Sequence, residues 1–181
     1  LEINTPIVKA WCSDAALQCI SEALQCYGGY GFSEEYPAAE LYRDARIYPI
    51  WEGTNYIQSL DLIGRKMTMK KGEVFLAWVR HIQEFAEANK DAAGFEKEFE
   101  ILLGTLGKYM GILKTLQGYL TVPGMPQLYA TRVLHATGKL WGAKLLLEMA
   151  LIAQKKMDEL GKDHFDYAFY QGKVASARFF A

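Results

Sequence analysis

The residues with the greatest chemical potential lie early in the chain. Glu52 stands in Ile50-Trp51-Glu52-Gly53-Thr54, between an indole and a glycine. A carboxylate there reads in two ways. It is either a base in a partly apolar pocket, where desolvation strengthens its hold on a proton, or a solvated acid beside the start of a helix. Gly28-Gly29-Tyr30-Gly31 is the second candidate. A loop without bulky side chains lets main-chain N–H groups approach a phosphate or an ADP moiety, and the alternative is an ordinary glycine helix end. The cluster follows a helical pattern instead of a strand and lacks G-x-G-x-x-G spacing, which excludes a Rossmann domain. Arg43, Asp44 and Arg46 form a charge cluster that reads as an ion-paired helix end or as a binding patch.

Metal chemistry finds no support. Cys12, Cys19 and Cys26 are seven residues apart, and on a helix each step covers roughly 10 Å, too far to share one ion. They read as free thiols buried on one helix face. No CxxC pair occurs and His81, His135 and His164 are scattered, so no zinc site is expected.

The elements that must position these residues are helical. Thr5-Pro6 reads as an N-cap with proline at the first helical position, and Val8, Trp11, Cys12, Ala15, Cys19, Ala23 and Cys26 keep a helical period to about Tyr27. Gly28 and Gly29 end that helix, and a short one runs from Pro37 toward Asp44. Residues 46–52, with Pro49, form an irregular connection. Gly53-Thr54 then cap a helix bearing Ile57, Leu60, Ile63 and Met67, which Gly72 closes. Four further helical patterns follow: Val74 to Phe85; Phe95 to Leu113; Leu128 to about Leu160, after Val122-Pro123-Gly124-Met125-Pro126; and Phe165 to the end. Strand-like alternation is nearly absent. The reading is all-α, an up-and-down helical bundle with additional C-terminal helices, divided into 1–72 and 73–181 at a seam near 68–73. Gly107/Gly111 and Gly138/Gly142 have the spacing that admits a close neighbouring backbone. The aromatic run Phe165, Tyr167, Phe169, Tyr170, Phe179 and Phe180 reads as core or subunit interface.

Composition narrows the function classes. With 20 basic and 21 acidic residues in 181 and a net charge of -1, no clustered positive charge awaits a nucleic acid or an anionic membrane. The most apolar stretch, Leu140 to Ala153, carries Lys144 and Glu148, so no membrane span is expected. Three cysteines do not make a disulfide framework and fit a reducing compartment. A start at Leu1 without Met suggests an excerpt of a longer chain.

Three blocks in register carry a resemblance: Gln25-Cys-Tyr-Gly-Gly-Tyr-Gly-Phe-Ser-Glu-Glu-Tyr-Pro37, Arg43-Asp-Ala-Arg46-Ile, and Ile50-Trp-Glu-Gly-Thr-Asn-Tyr-Ile-Gln58. Across about residues 5 to 67 the sequence resembles the C-terminal helical domain of flavin-dependent acyl-CoA dehydrogenases. The remainder resembles the helical extension of their longer members, including 3-methylmercaptopropionyl-CoA dehydrogenases.

The resemblance implies that Glu52 is the base that takes the substrate α-proton while the β-hydrogen leaves as hydride to FAD. It implies FAD contacts at Gln25, Gly28 and Gly29, toward a neighbouring subunit's cofactor, and at Thr54, Asn55 and Tyr56. Trp51 and Gly53 would shape access to the acyl chain, with Trp51 where the family most often has Tyr. An acyl-CoA substrate, an acceptor such as an electron-transfer flavoprotein, a homo-oligomer and a cytoplasmic location (mitochondrial matrix in a eukaryote) follow from the same resemblance. The N-terminal helical domain and the middle β-domain of such enzymes are not found in these residues, so the chain alone is expected to be inactive. An acyl-CoA oxidase fragment and a non-catalytic helical interaction module are the alternatives.

Overall fold

The computed structural model describes residues 2–181, and among them there is no strand. The chain divides into two compact units, Leu1–Phe75 with Tyr119–Gly138, and Leu76–Gly118 with Lys139–Ala181.

The first unit opens with α1 (Asn4–Pro6), a π-helical segment (Ile7–Trp11) and α2 (Cys12–Tyr27), one uninterrupted helical path. α3 (Gly29–Phe32), α4 (Pro37–Ala45) and α5 (Asn55–Asp61) follow, and α5 runs on through a second π segment, Leu62–Lys66, to a 3₁₀ turn, Met69–Gly72. α2 packs on α4, and α5 packs on α1 and on the Ile7–Trp11 segment. Ile3, Ile7, Ala10 and Leu62 are almost wholly buried; each large aliphatic among them contributes about 1.5–3 kcal/mol by leaving water. Lys66, also buried, pairs with the exposed Glu2. Its ammonium, through that hydrogen bond first and its charge second, holds the Glu2 carboxyl below the usual glutamate value.

The second unit holds α6 (Glu73–Asn89) from Leu76 onward, α7 (Glu96–Gly118), residues 139–160 of α8 (Met125–Leu160) and α9 (Tyr167–Phe180). Residues 125–138 of α8 belong to the first unit. Trp78, Ile82 and Ala86 on α6, with Val79 beside them, and Phe99, Leu102, Leu106 and Tyr109 on α7 recur every three or four residues and are all buried. That is the spacing that puts them on one helical face. The Phe85 and Phe99 rings meet edge to face at 5.7 Å. Arg178 of α9 closes the unit, donating to the Gly94 carbonyl at 2.7 Å and lying over the Phe95 ring.

Several expectations are corrected. The first helix is capped at Ile3 and begins at Asn4, so Thr5 lies within it and Pro6 is its third residue, two positions deeper than expected. A proline is tolerated there because first-turn N–H groups have no helical acceptor. Cys12, Cys19 and Cys26 are free thiols but exposed, not buried; the one buried residue of α2 is Ser13. A Cβ at Gly107 or Gly111 would meet open space, so no backbone approaches them, whereas one at Gly138 would run into the Trp11 indole. Phe165, Phe169, Phe179 and Phe180 are exposed, so that part of the aromatic run is not core.

Candidate active site

The site begins where α4 ends. The Ile50 and Trp51 N–H groups donate back to the Ile47 carbonyl, at 2.9 and 3.1 Å, winding the chain into consecutive turns. Glu52 follows in the left-handed region at φ 51°, and Gly53 at φ 82°. A glycine adopts that backbone freely, but a glutamate in it is strained and stays only if its surroundings fix it.

Four bonds fix this turn. Asn55 N–H donates to the Pro49 carbonyl at 3.1 Å and closes the loop that carries Glu52. The Thr54 hydroxyl accepts from Ile57 N–H, the N-cap that the sequence predicts for α5. Gln58 Nε2 donates to the Glu52 carbonyl at 3.4 Å. The Asn55 carbonyl accepts from the Ser59 hydroxyl at 2.9 Å, which ties the first turn of α5 to a buried serine.

The Asn55 side chain then anchors the loop to the first helical path. Its Nδ2 donates to Asp14 Oδ1 at 2.7 Å, and lies 2.9 Å from Ser13 Oγ and 3.1 Å from the Ala10 carbonyl. Its Oδ1 accepts from Lys9 Nζ at 2.9 Å. Asp14 uses its second oxygen on His135 Nε2 at 3.0 Å. One amide thus gathers a cation, a hydroxyl, a carboxylate and a main-chain carbonyl.

Beside this network lies a depression of about 350 Å³, lined by Val8, Lys9, Cys12, Ser13, Ala16, Tyr48, Trp51 and Glu52. Its wall joins apolar surface to one carboxylate and one ammonium. Glu52 and Trp51 are both exposed, so the burial that an apolar pocket around Glu52 requires is not supplied by these residues alone. Partial burial pushes the Cys12 thiol up although the residue as a whole is exposed.

The other sequence-predicted residues sit apart. Gln25, Gly28 and Gly29 lie at the far end of α2 from Cys12, about 20 Å along the helix at its standard rise. Gly28 takes φ 59°, ψ -137°, a backbone that a side chain resists, and a Cβ at Gly29 would meet nothing. The main chain is bare there, as close approach by a flat or anionic group requires. Tyr56 is half exposed, its hydroxyl 3.5 Å from the Gln127 carbonyl. Arg43 pairs with Glu34 at 3.6 Å, both side chains exposed, in place of the ion pair expected within 43–46. Lys9, Ser13, Asp14 and His135 are functional candidates that the residue pattern did not reveal. Lys9 and the pair Ser13-Asp14 are isolated polar positions in an otherwise apolar stretch, and His135 lies far away in the sequence, so no local pattern marks them.

Among the described residues no helix is long and apolar enough to cross a membrane. Residues 2–68 match the family model "Acyl-CoA dehydrogenase, C-terminal domain", and residues 78–181 match "Acetyl-CoA dehydrogenase C-terminal like". The chain is 49% identical over 179 residues to a butyryl-CoA dehydrogenase of Syntrophomonas wolfei, covering 98% of this chain and 29% of that protein. It is 33% identical over 187 residues to a broad-specificity linear acyl-CoA dehydrogenase of Mycobacterium tuberculosis. It is 34% identical over 185 residues to a 3-methylmercaptopropionyl-CoA dehydrogenase of Ruegeria pomeroyi. In each case it spans nearly all of itself and about three-tenths of the relative's length, 29% in the first and 30% in the other two.

Proposed function

This chain belongs to the acyl-CoA dehydrogenase family, and from that premise we propose that it is the C-terminal part of a flavin-dependent acyl-CoA dehydrogenase in which Glu52 is the base. The observation that carries the proposal is the loop at 49–55: a strained, multiply bonded turn that presents one carboxylate at an apolar depression, inside the stretch matched by the dehydrogenase domain. Left-handed backbone also occurs at Lys70 and Lys71, so at Glu52 it supports the reading only together with the loop's bonds and the depression beside it.

The chemistry asked of Glu52 is removal of the α-proton of an acyl-CoA thioester. The electron pair of that C–H bond becomes the Cα=Cβ double bond, and the β-hydrogen departs with its own pair. FAD, when bound, supplies the acceptor for that hydride and takes up both electrons. Glu52 Oε ends the step carrying the proton. Trp51 and Gly53 shape the approach of the acyl chain: the indole walls one side, and the glycine leaves the turn without a Cβ. The carboxylate needs a drier surrounding than these residues provide, so the proposal assigns the remaining walls to the rest of the protein.

The bare main chain at Gly28 and Gly29, with Gln25 beside it, suits close approach by the flat or phosphorylated parts of FAD. Its separation along α2 from Cys12, which lines the depression with Glu52, suits the family arrangement in which this block serves a neighbouring subunit's cofactor, and that arrangement entails a homo-oligomer. Thr54, Asn55 and Tyr56 form the second flavin contact. Thr54 and Asn55 shape it through the backbone, because the Thr54 hydroxyl caps α5 and the Asn55 amide is engaged within the chain. Residues 73–181 then form the helical extension of the longer members, and reducing equivalents pass to an acceptor such as an electron-transfer flavoprotein.

The test uses the full-length protein. Glu52→Gln keeps the shape and removes the proton acceptor, so FAD content should be unchanged. The rate of flavin bleaching by an acyl-CoA under anaerobic conditions should fall by at least about 100-fold. Undiminished bleaching would remove the assignment.

A further inference from the structure

We infer that the Asn55 side chain, held by Asp14, positions the glutamate loop: the amide sets where Glu52 stands and touches neither substrate nor flavin, the flavin contact proposed at 54–56 being made at Asn55 by its main chain. The inference rests on the reading of Glu52 as the base and adds the device that aims it.

Three observations carry it. First, the loop is closed by Asn55 itself, whose N–H reaches the Pro49 carbonyl, so any shift of Asn55 moves both ends of the turn bearing Glu52. Second, Glu52 is in the left-handed region, where the backbone relaxes unless it is over-determined. Third, all the polar capacity of the Asn55 amide is directed at one short stretch, Lys9 to Asp14, whose Lys9, Cys12 and Ser13 line the same depression as Glu52. The amide therefore fixes the distance between the carboxylate and the opposite wall. Ala10 lies in the π-helical segment, and its carbonyl accepts from Ser13 Oγ at 3.0 Å and from Asn55. Wide turns of this kind are frequent where a helix is adapted to a site. His135 holds the second oxygen of Asp14, which leaves the first aimed at Asn55.

The polarity of the Asn55–Asp14 bond makes the inference testable. Asn55→Asp is nearly isosteric but sets two carboxylates at hydrogen-bond distance, replacing a donor by a repelling acceptor. Adding Asp14→Asn restores one donor and one acceptor with the bond reversed, keeps a carboxylate beside Lys9 and leaves an amide oxygen for His135, although the Ala10 carbonyl loses its Asn55 donor, so rescue is partial.

In the full-length holoenzyme, Asn55→Asp should slow anaerobic flavin reduction at saturating acyl-CoA on the order of 100-fold, the scale of a reacting group misplaced by about 1 Å. Rates are taken per bound flavin, because the main chain of Asn55 is itself proposed to contact FAD, and affinity for the enoyl-CoA product, read from the flavin spectrum, should stay within about twofold. The Asp14→Asn/Asn55→Asp protein should regain at least about tenfold of the lost rate.

A rate for Asn55→Asp equal to the parent's would overturn the inference. So would a double variant as slow as the single one, or a loss of rate matched by an equal loss of FAD. Glu52→Gln measured alongside separates the two claims. If it reduces flavin undiminished, the base reading falls and takes the positioning role with it. If it is slow while Asn55→Asp is fast, only the positioning role falls.

Discussion

Asn55 in the first unit and Phe99 in the second each stand at the centre of their surroundings, yet they hold helices by different means. Asn55 is half-buried and works through four directional bonds to Lys9, Ala10, Ser13 and Asp14. Phe99 is fully buried and works through packing, its ring against Phe85 within a stripe of Leu102, Leu106 and Tyr109. Directional bonds specify where one segment sits against another, and non-directional burial supplies most of the stability. The first unit also leaves Tyr30, Phe32, Trp51 and Ile57 at least half exposed, whereas Trp78, Phe95 and Phe99 of the second are covered. Exposed apolar side chains are not confined to the first unit, since Phe165, Phe169 and Phe179 of the second are open too, so the contrast lies in how position is fixed: by polar bonds around the glutamate loop and by a buried stripe along α6 and α7.

If that division of labour holds, the largest effect on stability comes from emptying the second unit's core. Phe99→Ala removes a wholly buried ring and should cost about 3–5 kcal/mol. Amide hydrogen exchange along α7 would read the loss directly, as a rise in the opening equilibrium of its most protected amides. A cost below about 1 kcal/mol would mean that the surroundings collapse into the space and that the stripe is not the unit's main support.

The regular parts of this architecture were legible in the sequence and the long-range polar ones were not, for a physical reason. Trp78, Ile82 and Phe85, then Phe99, Leu102 and Leu106, keep the helical period because burial on one face selects it, and the structure places them together. Thr54 as a cap and Gly28 as a helix end are equally local, since each requirement is met within a few residues. Asn55 with Asp14 spans 41 positions and His135 with Asp14 spans 121. No period encodes such pairs. The cysteine expectation failed for a related reason: a seven-residue repeat identifies a face of α2 without telling whether anything covers it, and this face is open. Phe165, Phe169 and Phe179 repeat the lesson. Glu52 itself was legible only because three blocks in register resembled a family; its left-handed backbone and the bonds that hold it came from the structure.

A smaller effect probes whether polar bonds in the second unit matter as those of the first do. Lys144 is buried, with Nζ 2.6 Å from Glu148 and 4.8 Å from the centre of the Phe85 ring. Unlike Asn55 it has one hydrogen-bond partner, beside the Phe85 and Trp141 rings, and that partner is half exposed and can turn to water. Replacing the buried end of such a pair by an apolar group of similar length removes a desolvation cost along with the attraction. Lys144→Met should therefore shift stability by no more than about 1 kcal/mol in either direction, read by the same exchange measurement. A loss above about 3 kcal/mol would show that this cation organises its helices as Asn55 organises the glutamate loop, and the contrast between the units would go.

The smallest expected effect lies at the edge of the first unit, where Lys66 is buried but its partner Glu2 is exposed. The Glu2 carboxyl is held below its ordinary value of 4.5 by the Lys66 hydrogen bond and then by the Lys66 charge. A carboxyl depressed in the folded state contributes stability above its unfolded pKa, and that contribution disappears as the pH falls through the folded value. Near pH 7 the protein should thus melt slightly above its Glu2→Gln variant, because the variant leaves the Lys66 ammonium buried with a neutral partner. On acidification from about pH 5 to below the depressed value the gap should close, since Glu2 becomes protonated and resembles the amide. Melting temperatures of the two proteins across that range would decide it. A gap that stays constant or widens toward low pH would mean that Lys66 finds its counter-charge elsewhere, and that the first unit's edge does not depend on the Glu2 bond.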